Sequence, residues 1–293
     1  MKLIHKVEEC AVYESNKQSH ANVSMSSSSS LLNSNMQVKT FLLKITSSNT
    51  PEAALALLST LTKSVNRARA YNHTSTSIKF KALQVTPLKT FIEYTHSLSP
   101  SPSPSPSPHS NMLGMAYTLT LKLLADIGTQ LEHIGVEHGL CIPFLSLEDI
   151  VVIETQTIRD QNKADDETGD PKSESRESDS EYIFVFMNAE KLAQKSNKKE
   201  LIIDVPLKVN KHTSFLPAEL PESALKRLPM RLTTTSWCYS LATLCIYALL
   251  KEKFKNGEDD IERMGRPFLH TSLYFCLKRC LKTDPAERVL LYV

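Results

Sequence analysis

Three polar side chains in this chain could bind a phosphate group or a divalent cation. Lys44 lies inside a run of β-forming residues, Asp149 directly precedes a second such run, and Asn188 follows a third. A lysine offers phosphate a compact positive charge, and carboxylate and amide oxygens are ligands for Mg²⁺, although an amide is a weak one without a carboxylate partner. Each residue also has a structural explanation, because strand lysines are commonly solvated and an aspartate before a strand commonly caps or turns the backbone. The pattern leaves both explanations open.

The distribution of charge argues against a nucleic-acid interface. The net charge is +2, but residues 160–181 carry nine acidic and three basic side chains, so the rest of the chain stands at about +8. That basic excess is diffuse, whereas nucleic-acid binding requires a clustered basic face. We therefore expect a moderately basic folded body with an acidic loop, and no nucleic-acid partner.

The six cysteines lack the paired C-x-x-C spacing of a zinc site. Cys276 and Cys280 lie four apart, and Cys238 and Cys245 lie seven apart, which is the periodicity of a buried helical stripe. Because a free cysteine behaves as a small hydrophobe, we expect buried thiols and no metal site.

Neither a signal peptide nor a transmembrane helix is expected. Residues 1–9 contain no uninterrupted apolar segment. The longest apolar run, residues 237–250, has fourteen residues, whereas a membrane span needs roughly 20. That run is typical of a helix buried in a core. We therefore expect no membrane association and an intracellular location, cytoplasmic or nuclear, which is the usual setting of unpaired cysteines.

Patterns in the N-terminal third predict strands and one helix after a disordered tail. The tail covers residues 1–35, where a serine run offers no apolar face to bury. Strands are predicted over 38–46, 78–85 and 88–94 from their β-branched and aromatic residues. A cap residue, an early proline and a run of alanines and leucines predict a helix over 51–61.

Two low-complexity segments interrupt the remainder of the chain. Five Ser-Pro dipeptides between Ser99 and Pro108 predict an extended linker, which could alternatively carry proline-directed phosphorylation or bind an SH3-type domain. Apolar residues three and four apart then predict an amphipathic helix over 116–134 that Gly135 ends. The acidic, serine-rich residues 160–181 predict a disordered insert between two β-runs.

Three sequence elements in the last third carry a family resemblance. They are, in order, Phe215-Leu216-Pro217-Ala218-Glu219-Leu220, Ser236-Trp237-Cys238-Tyr239-Ser240-Leu241-Ala242 and Cys280-Leu281-Lys282-Thr283-Asp284-Pro285-Ala286-Glu287-Arg288. They resemble the C-terminal lobe of the protein-kinase-like superfamily, whose pattern is Pro-Glu, then a buried helix opening in Trp-Ser-Leu-Gly, then Asp-Pro-x-x-Arg. The arrangement also resembles the divergent kinase-like proteins of large DNA viruses.

The resemblance implies an α+β fold with the two lobes of a protein kinase. A degenerate, β-rich small N-lobe would cover residues 36–96 and a mainly helical C-lobe residues 115–293. The Ser-Pro linker, residues 97–114, would join them. In the C-lobe, the resemblance implies that Glu219 is buried against Arg288, in the turn that Asp284 opens.

The same resemblance indicates where a nucleotide would lie if one binds. Lys44 is similar to the family's strand lysine, and Glu93 with Tyr94 resembles the segment that leads into the hinge between the lobes. Together with Asp149, these are the candidate nucleotide-binding residues.

The residues that perform phosphoryl transfer in the family are missing here. Phe144 stands where the family has its catalytic Asp, Ser146 where it has Lys, and Asp149 where it has Asn. The segment around Asn188, where Asp-Phe-Gly belongs, lacks the magnesium-binding Asp, and no glycine precedes Gly114, so a Gly-rich phosphate loop is excluded. Since phenylalanine cannot accept a proton, we expect vestigial positions, no catalytic residue, no cofactor and no metal.

These features favour a pseudokinase, in which a kinase-like fold is kept as a binding or regulatory scaffold for a protein partner of unknown identity. The alternative is an atypical protein kinase that transfers phosphate from ATP to Ser or Thr. In that alternative Lys44, Asp149 and an acid from the insert rebuild a site, with ATP and Mg²⁺ as cofactors. A third possibility is a helical adaptor, in which Glu219 and Arg288 lie far apart.

Overall fold

The computed structural model describes residues 1–8, 10–15, 38–45, 51–65, 72–97, 109–156, 180–197, 199–221, 227–254 and 258–290. Among these residues, none of the helices is both long and apolar enough to cross a membrane. Strands and helices are both abundant, so the fold is of the mixed α+β class.

The chain opens with a five-stranded sheet. Its strands are β1 (Lys2–Val7), β2 (Cys10–Glu14), β3 (Lys39–Ile45), β4 (Asn72–His73) and β5 (Ser77–Ala82). Every neighbouring pair is antiparallel, and the strand order is β1-β2-β3-β5-β4. The predicted strand over 38–46 is therefore confirmed as β3, and it lies at the centre of this sheet.

The prediction of a disordered tail over residues 1–35 is wrong for its first part, because β1 and β2 form a hairpin there. Cys10, Ala11 and Val12 are all buried. Three consecutive buried residues show no polar and apolar alternation, so the sequence carries only a weak strand signal at this point. The sheet that contains the predicted strand 38–46 begins near residue 2, ahead of residue 36, where the sequence predicted the first lobe to start. Residues 16–37 lie outside the described part of the chain.

Helix α1 (Pro51–Val65) confirms the helix predicted over 51–61 and extends it by one turn. Proline suits the first helical position, because its missing N–H has no partner there in any helix. Ala56, Leu57 and Leu61 are buried and form one face of the helix. The helix packs against β5 and against the long helix that follows.

The strand predicted over 88–94 is wrong, because Leu88–Ser97 forms helix α2. Its buried residues, Leu88, Phe91 and Ile92, are spaced three and four apart, which places them on one helical face. The strand predicted over 78–85 is present but divided between β5 and a second strand, β6 (Gln84–Pro87).

Helix α3 (His109–Glu137) differs at both ends from the helix predicted over 116–134. It starts within the predicted linker 97–114, of which residues 98–108 lie outside the described part of the chain. Gly135 does not end the helix; it lies inside it, and Lys195 Nζ donates to its carbonyl oxygen at 2.7 Å. The turn that ends the helix contains Gly139, whose φ of +63° is left-handed.

Within the described residues after α3, the chain forms eight strands and three further α-helices. The strands are β7 (Leu140–Cys141), β8 (Leu145–Ser146), β9 (Ile150–Gln156), β10 (Ser180–Phe186), β11 (Ala193–Gln194), β12 (Glu200–Ile203), β13 (Ser214–Phe215) and β14 (Met230–Thr233), and the helices are α4 (Ser236–Leu250), α5 (Glu258–Met264) and α6 (Ser272–Cys280). Strands β7 and β11, β8 and β13, and β12 and β14 form three two-stranded pairs. Most of the predicted insert, residues 157–179, lies outside the described part of the chain.

Strands β10, β9 and β6 form a three-stranded antiparallel sheet, in that order, and α3 covers the free edge of β10. Gln130 Nε2 donates to Phe184 O at 2.7 Å, and Gln130 Oε1 accepts from Phe186 N at 3.0 Å. Asp126 Oδ2 accepts from Phe184 N at 3.0 Å. One turn of α3 therefore supplies the hydrogen bonds that a neighbouring strand would otherwise make.

All six cysteines are buried and none forms a disulfide, which confirms the prediction of buried thiols. Burial raises the pKa of Cys10, Cys141 and Cys238 to about 12 in each case. These thiols therefore stay protonated at neutral pH and behave as apolar packing groups.

Candidate functional site

A cleft of about 1110 Å³ is lined by three of the vestigial positions named above, Ser146, Asp149 and Asn188. The cleft is lined by residues from the β1–β2 turn, the start of α1, the turn before β9, the turn after β10 and the segment 202–210. Asp149, Asn188, Ser146 and Lys191 all contribute to this lining. The cleft therefore combines residues from the N-terminal sheet and helix α1 with residues 140–214 around one buried carboxylate.

Asp149 is that carboxylate, and its side chain is only 2% exposed. It closes a 3-10 turn, Leu147–Asp149, that leads into β9. Its Oδ2 accepts from Ser146 N at 2.7 Å, which caps this turn, and its Oδ1 accepts from Asn188 Nδ2 at 2.8 Å. The structure thus brings together three of the residues singled out in the sequence, and the backbone-capping role of Asp149 is present.

Lys191 supplies the positive charge at the centre of the site. Its Nζ donates to Asp149 Oδ2 at 2.6 Å and to Ser146 Oγ at 2.8 Å, and it lies 4.2 Å from the centroid of the Phe144 ring. The Ser146 hydroxyl in turn lies 2.8 Å from Ser214 Oγ. A carboxylate, a hydroxyl group and the face of an aromatic ring therefore contact the Lys191 ammonium group.

The sequence patterns did not point to Lys191. The only available signal is its position three residues after Asn188, in a 3-10 turn over Ala189–Lys191. Side chains three apart in such a turn lie on the same side, so one polar residue facing a cleft predicts a second. A lysine is nevertheless rarely buried, and its burial is not readable from its neighbours in sequence.

Phe144 is fully buried and cannot reach the cleft opening. It lies in a compact apolar cluster with Cys141, Leu201, Ile203, Leu220, Met230 and Leu232. The ring contributes its edge to this core and its face to Lys191. The position where the resemblance expects a catalytic base is therefore an apolar packing position.

Lys44, Glu93 and Tyr94 do not line the cleft that contains Asp149, so the structure does not bring the four predicted nucleotide-binding residues together in it. Lys44 is exposed on β3, on the face opposite the buried Leu43 and Ile45. Glu93 and Tyr94 are exposed because their segment is helix α2 and its buried face lies elsewhere. Strand and helix periodicity, rather than the order of residues along the chain, decides both placements.

Glu219 and Arg288 lie in direct contact, as the resemblance implies. Arg288 Nη1 donates to Glu219 Oε1 at 2.6 Å and Nη2 donates to Glu219 Oε2 at 2.8 Å. The Arg288 side chain is fully buried, and its Nε donates to Lys282 O at 2.8 Å. Asp284 does not join this pair; it accepts from Ala286 N at 2.8 Å and caps the turn that carries Arg288 into place.

Several hydrogen bonds set the charge state of Glu219. Burial alone would raise the pKa of its carboxyl, but hydrogen bonds from Arg288 and Ser236 outweigh burial and hold the pKa below its ordinary value. Ser236 Oγ donates to Glu219 Oε1 at 2.7 Å, and Ser236 opens helix α4. The ion pair therefore joins α4 and the C-terminal turn through one carboxylate.

Comparison with known proteins identifies no family for this chain. The chain matches no protein-family model and no curated protein sequence. Among solved structures, it is similar to the kinase domain of a Toxoplasma gondii specific rhoptry antigen, with a TM-score of 0.42 and 15% sequence identity. That similarity covers 86% of this chain and 70% of the other.

Proposed function

We propose that this chain is a kinase-like domain that has lost phosphoryl transfer and acts as a binding or regulatory scaffold. The three C-terminal sequence elements support the kinase-like assignment, as does the direct contact of Glu219 with Arg288. A β-rich N-terminal part and a mainly helical C-terminal part, both of which line one cleft, fit two lobes.

The burial of Phe144 is the observation that carries the loss of catalysis. Phosphoryl transfer by this family uses a carboxylate that accepts the proton of the substrate hydroxyl. A fully buried phenyl ring offers no acceptor, and it packs in an apolar cluster with the Lys191 ammonium over its face. We therefore assign no catalytic residue and propose no nucleotide or metal cofactor.

A protein partner is the occupant that the cleft suits best under this proposal. Ile202 and Val205 are exposed large hydrophobic side chains on its wall, and charged residues of both signs surround them. Apolar side chains within a polar rim are typical of protein contact surfaces. We propose an intracellular setting because none of the six cysteines forms a disulfide. Neither a nucleic acid nor a membrane is part of this proposal.

The second candidate, an atypical protein kinase, has one observation in its favour. Asp149 and Asn188 face the cleft together, 2.8 Å apart, and a carboxylate with an amide is a ligand set that Mg²⁺ accepts. Lys44 cannot complete this site, because it lies exposed on β3 and does not line the cleft.

Phosphate transfer from radiolabelled ATP separates the two candidates. We expect transfer to generic protein substrates, and to the chain itself, to equal the signal of Asp149→Ala, because no general base and no phosphate loop is present. Lys44→Ala is the matched control outside the cleft, and an active kinase assayed in parallel fixes the sensitivity. Transfer by the wild type that Asp149→Ala abolishes and Lys44→Ala leaves intact would establish the atypical kinase instead.

A further inference from the structure

Lys191 is one of three charged side chains that are buried among the described residues, the others being Asp149 and Arg288. Arg288 belongs to the ion pair with Glu219. Lys191 and Asp149 form the second buried pair, with side chains 9% and 2% exposed. Removing two charges from water is costly unless the geometry is close and further hydrogen bonds satisfy both groups. The surroundings of this pair therefore show what kind of ion the site accepts.

Oxygen atoms dominate the surroundings of the Lys191 ammonium. Asp149 Oδ2 and Ser146 Oγ lie at 2.6 and 2.8 Å from Nζ. Ser214 Oγ lies beside Ser146 Oγ at 2.8 Å. Carboxylate and hydroxyl oxygens are the ligand types that bind hard divalent cations.

Asn188 adds an independent observation, because its buried amide oxygen is an unsatisfied hydrogen-bond acceptor among the described residues. Its Nδ2 donates to Asp149 Oδ1, whereas its Oδ1 has no hydrogen-bond partner among the described residues. The residue is only 4% exposed and lines the cleft. A buried carbonyl oxygen without a donor is normally satisfied by a ligand, an ion or water. The site thus contains one buried oxygen that no described group satisfies.

We propose that Lys191 is an internal cation that occupies an oxygen-lined cation site, and that removing its ammonium group converts this site into one that binds an external divalent cation. The wild-type protein then needs no metal ion there, because the covalently attached charge is always present at the carboxylate. The inference goes beyond the proposed function, since it depends on Lys191, Asp149, Ser146 and Asn188 and on no partner or nucleotide.

Binding of Mn²⁺ to the full-length chain, followed by electron paramagnetic resonance, tests this site directly. We expect Lys191→Ala to bind about one equivalent of Mn²⁺ that Ca²⁺ displaces, while the wild type binds none at this site. Adding Asp149→Asn to Lys191→Ala should weaken Mn²⁺ binding at least about tenfold. Lys6→Ala is the matched control, because Lys6 is an exposed lysine that also lines the cleft; it should gain no Mn²⁺ site.

Two results would overturn the proposal. One is a wild-type chain that binds Mn²⁺ as tightly as Lys191→Ala, and the other is a folded Lys191→Ala that binds none. If Lys191→Ala does not fold alone, refolding from urea gives the second readout. Recovery of the native circular dichroism signal in CaCl₂, but not in NaCl of equal ionic strength, supports the site, and recovery in neither salt refutes it. None of these outcomes depends on the phosphate-transfer assay.

Discussion

Replacing Arg288 with methionine is expected to lower the free energy of unfolding by about 3–5 kcal/mol. The methionine fills much of the same volume, but it leaves the Glu219 carboxylate half buried without its two charge-assisted hydrogen bonds. It also removes the donor to Lys282 O and the cation that stacks 4.8 Å from the Tyr239 ring. Urea unfolding followed by circular dichroism measures this loss.

Arg279 provides the matched control for this substitution. It is an exposed arginine on α6, so Arg279→Met should change the free energy of unfolding by less than about 0.5 kcal/mol. Combining Arg288→Met with Glu219→Leu should recover part of the loss, because removing both charges leaves neither one uncompensated. A loss below about 0.5 kcal/mol for Arg288→Met would show that the pair does not hold α4 and the C-terminal turn together.

The same ion pair makes stability depend on pH in a predictable direction. The pKa of Glu219 is lower in the folded chain than its ordinary value of 4.5. Its contribution is therefore complete above about pH 4.5 and is lost as the pH falls through the lowered pKa of the folded state. We expect the difference in unfolding free energy between the wild type and Glu219→Gln to shrink below pH 4.5 and to be constant from there to neutral pH. A difference that grows on acidification would contradict the lowered pKa.

Gln130→Leu is expected to cost about 2–6 kcal/mol, because it leaves two buried backbone groups of β10 without partners. Leucine matches the size of glutamine but can neither donate to Phe184 O nor accept from Phe186 N. Each unsatisfied buried group costs about 1–3 kcal/mol. Urea melts of the two proteins measure this cost.

A glutamine on a strand edge is the control for Gln130. Gln84 in β6 is exposed, so Gln84→Leu should stay within about 0.5 kcal/mol of the wild type. If Gln130→Leu behaves like Gln84→Leu, the hydrogen bonds between α3 and β10 contribute nothing to stability, and α3 is held by apolar packing alone.

The parts of the fold that could be predicted correctly have either strong local periodicity or a sequence motif with fixed spacing. The sequence predicts helix α1 from a cap residue, an early proline and an apolar face, and the fourteen-residue apolar run forms buried helix α4. Glu219 and Arg288 could be paired because the family resemblance names both positions. These signals do not depend on how distant segments pack.

The parts that were mispredicted are those where tertiary contacts decide. Residues 88–94 contain enough β-forming types for a strand, yet the core contacts of Leu88, Phe91 and Ile92 select a helix. The central contact of the site, Lys191 with Asp149, joins residues 42 positions apart. Nothing in the residues beside Lys191 reports that its ammonium group is enclosed by a phenyl ring and two oxygens.

The way α3 covers β10 also bears on how the molecules behave at high concentration. An uncovered strand edge is a template on which a second molecule can add a strand and begin intermolecular sheet growth. On β10 that template is already occupied by Asp126 and Gln130. The opposite edge of this sheet, β6, ends in Pro87, which has no N–H to offer an incoming strand. A second chain could therefore extend β10 only after α3 had been displaced, so this edge of the sheet is protected against intermolecular strand addition.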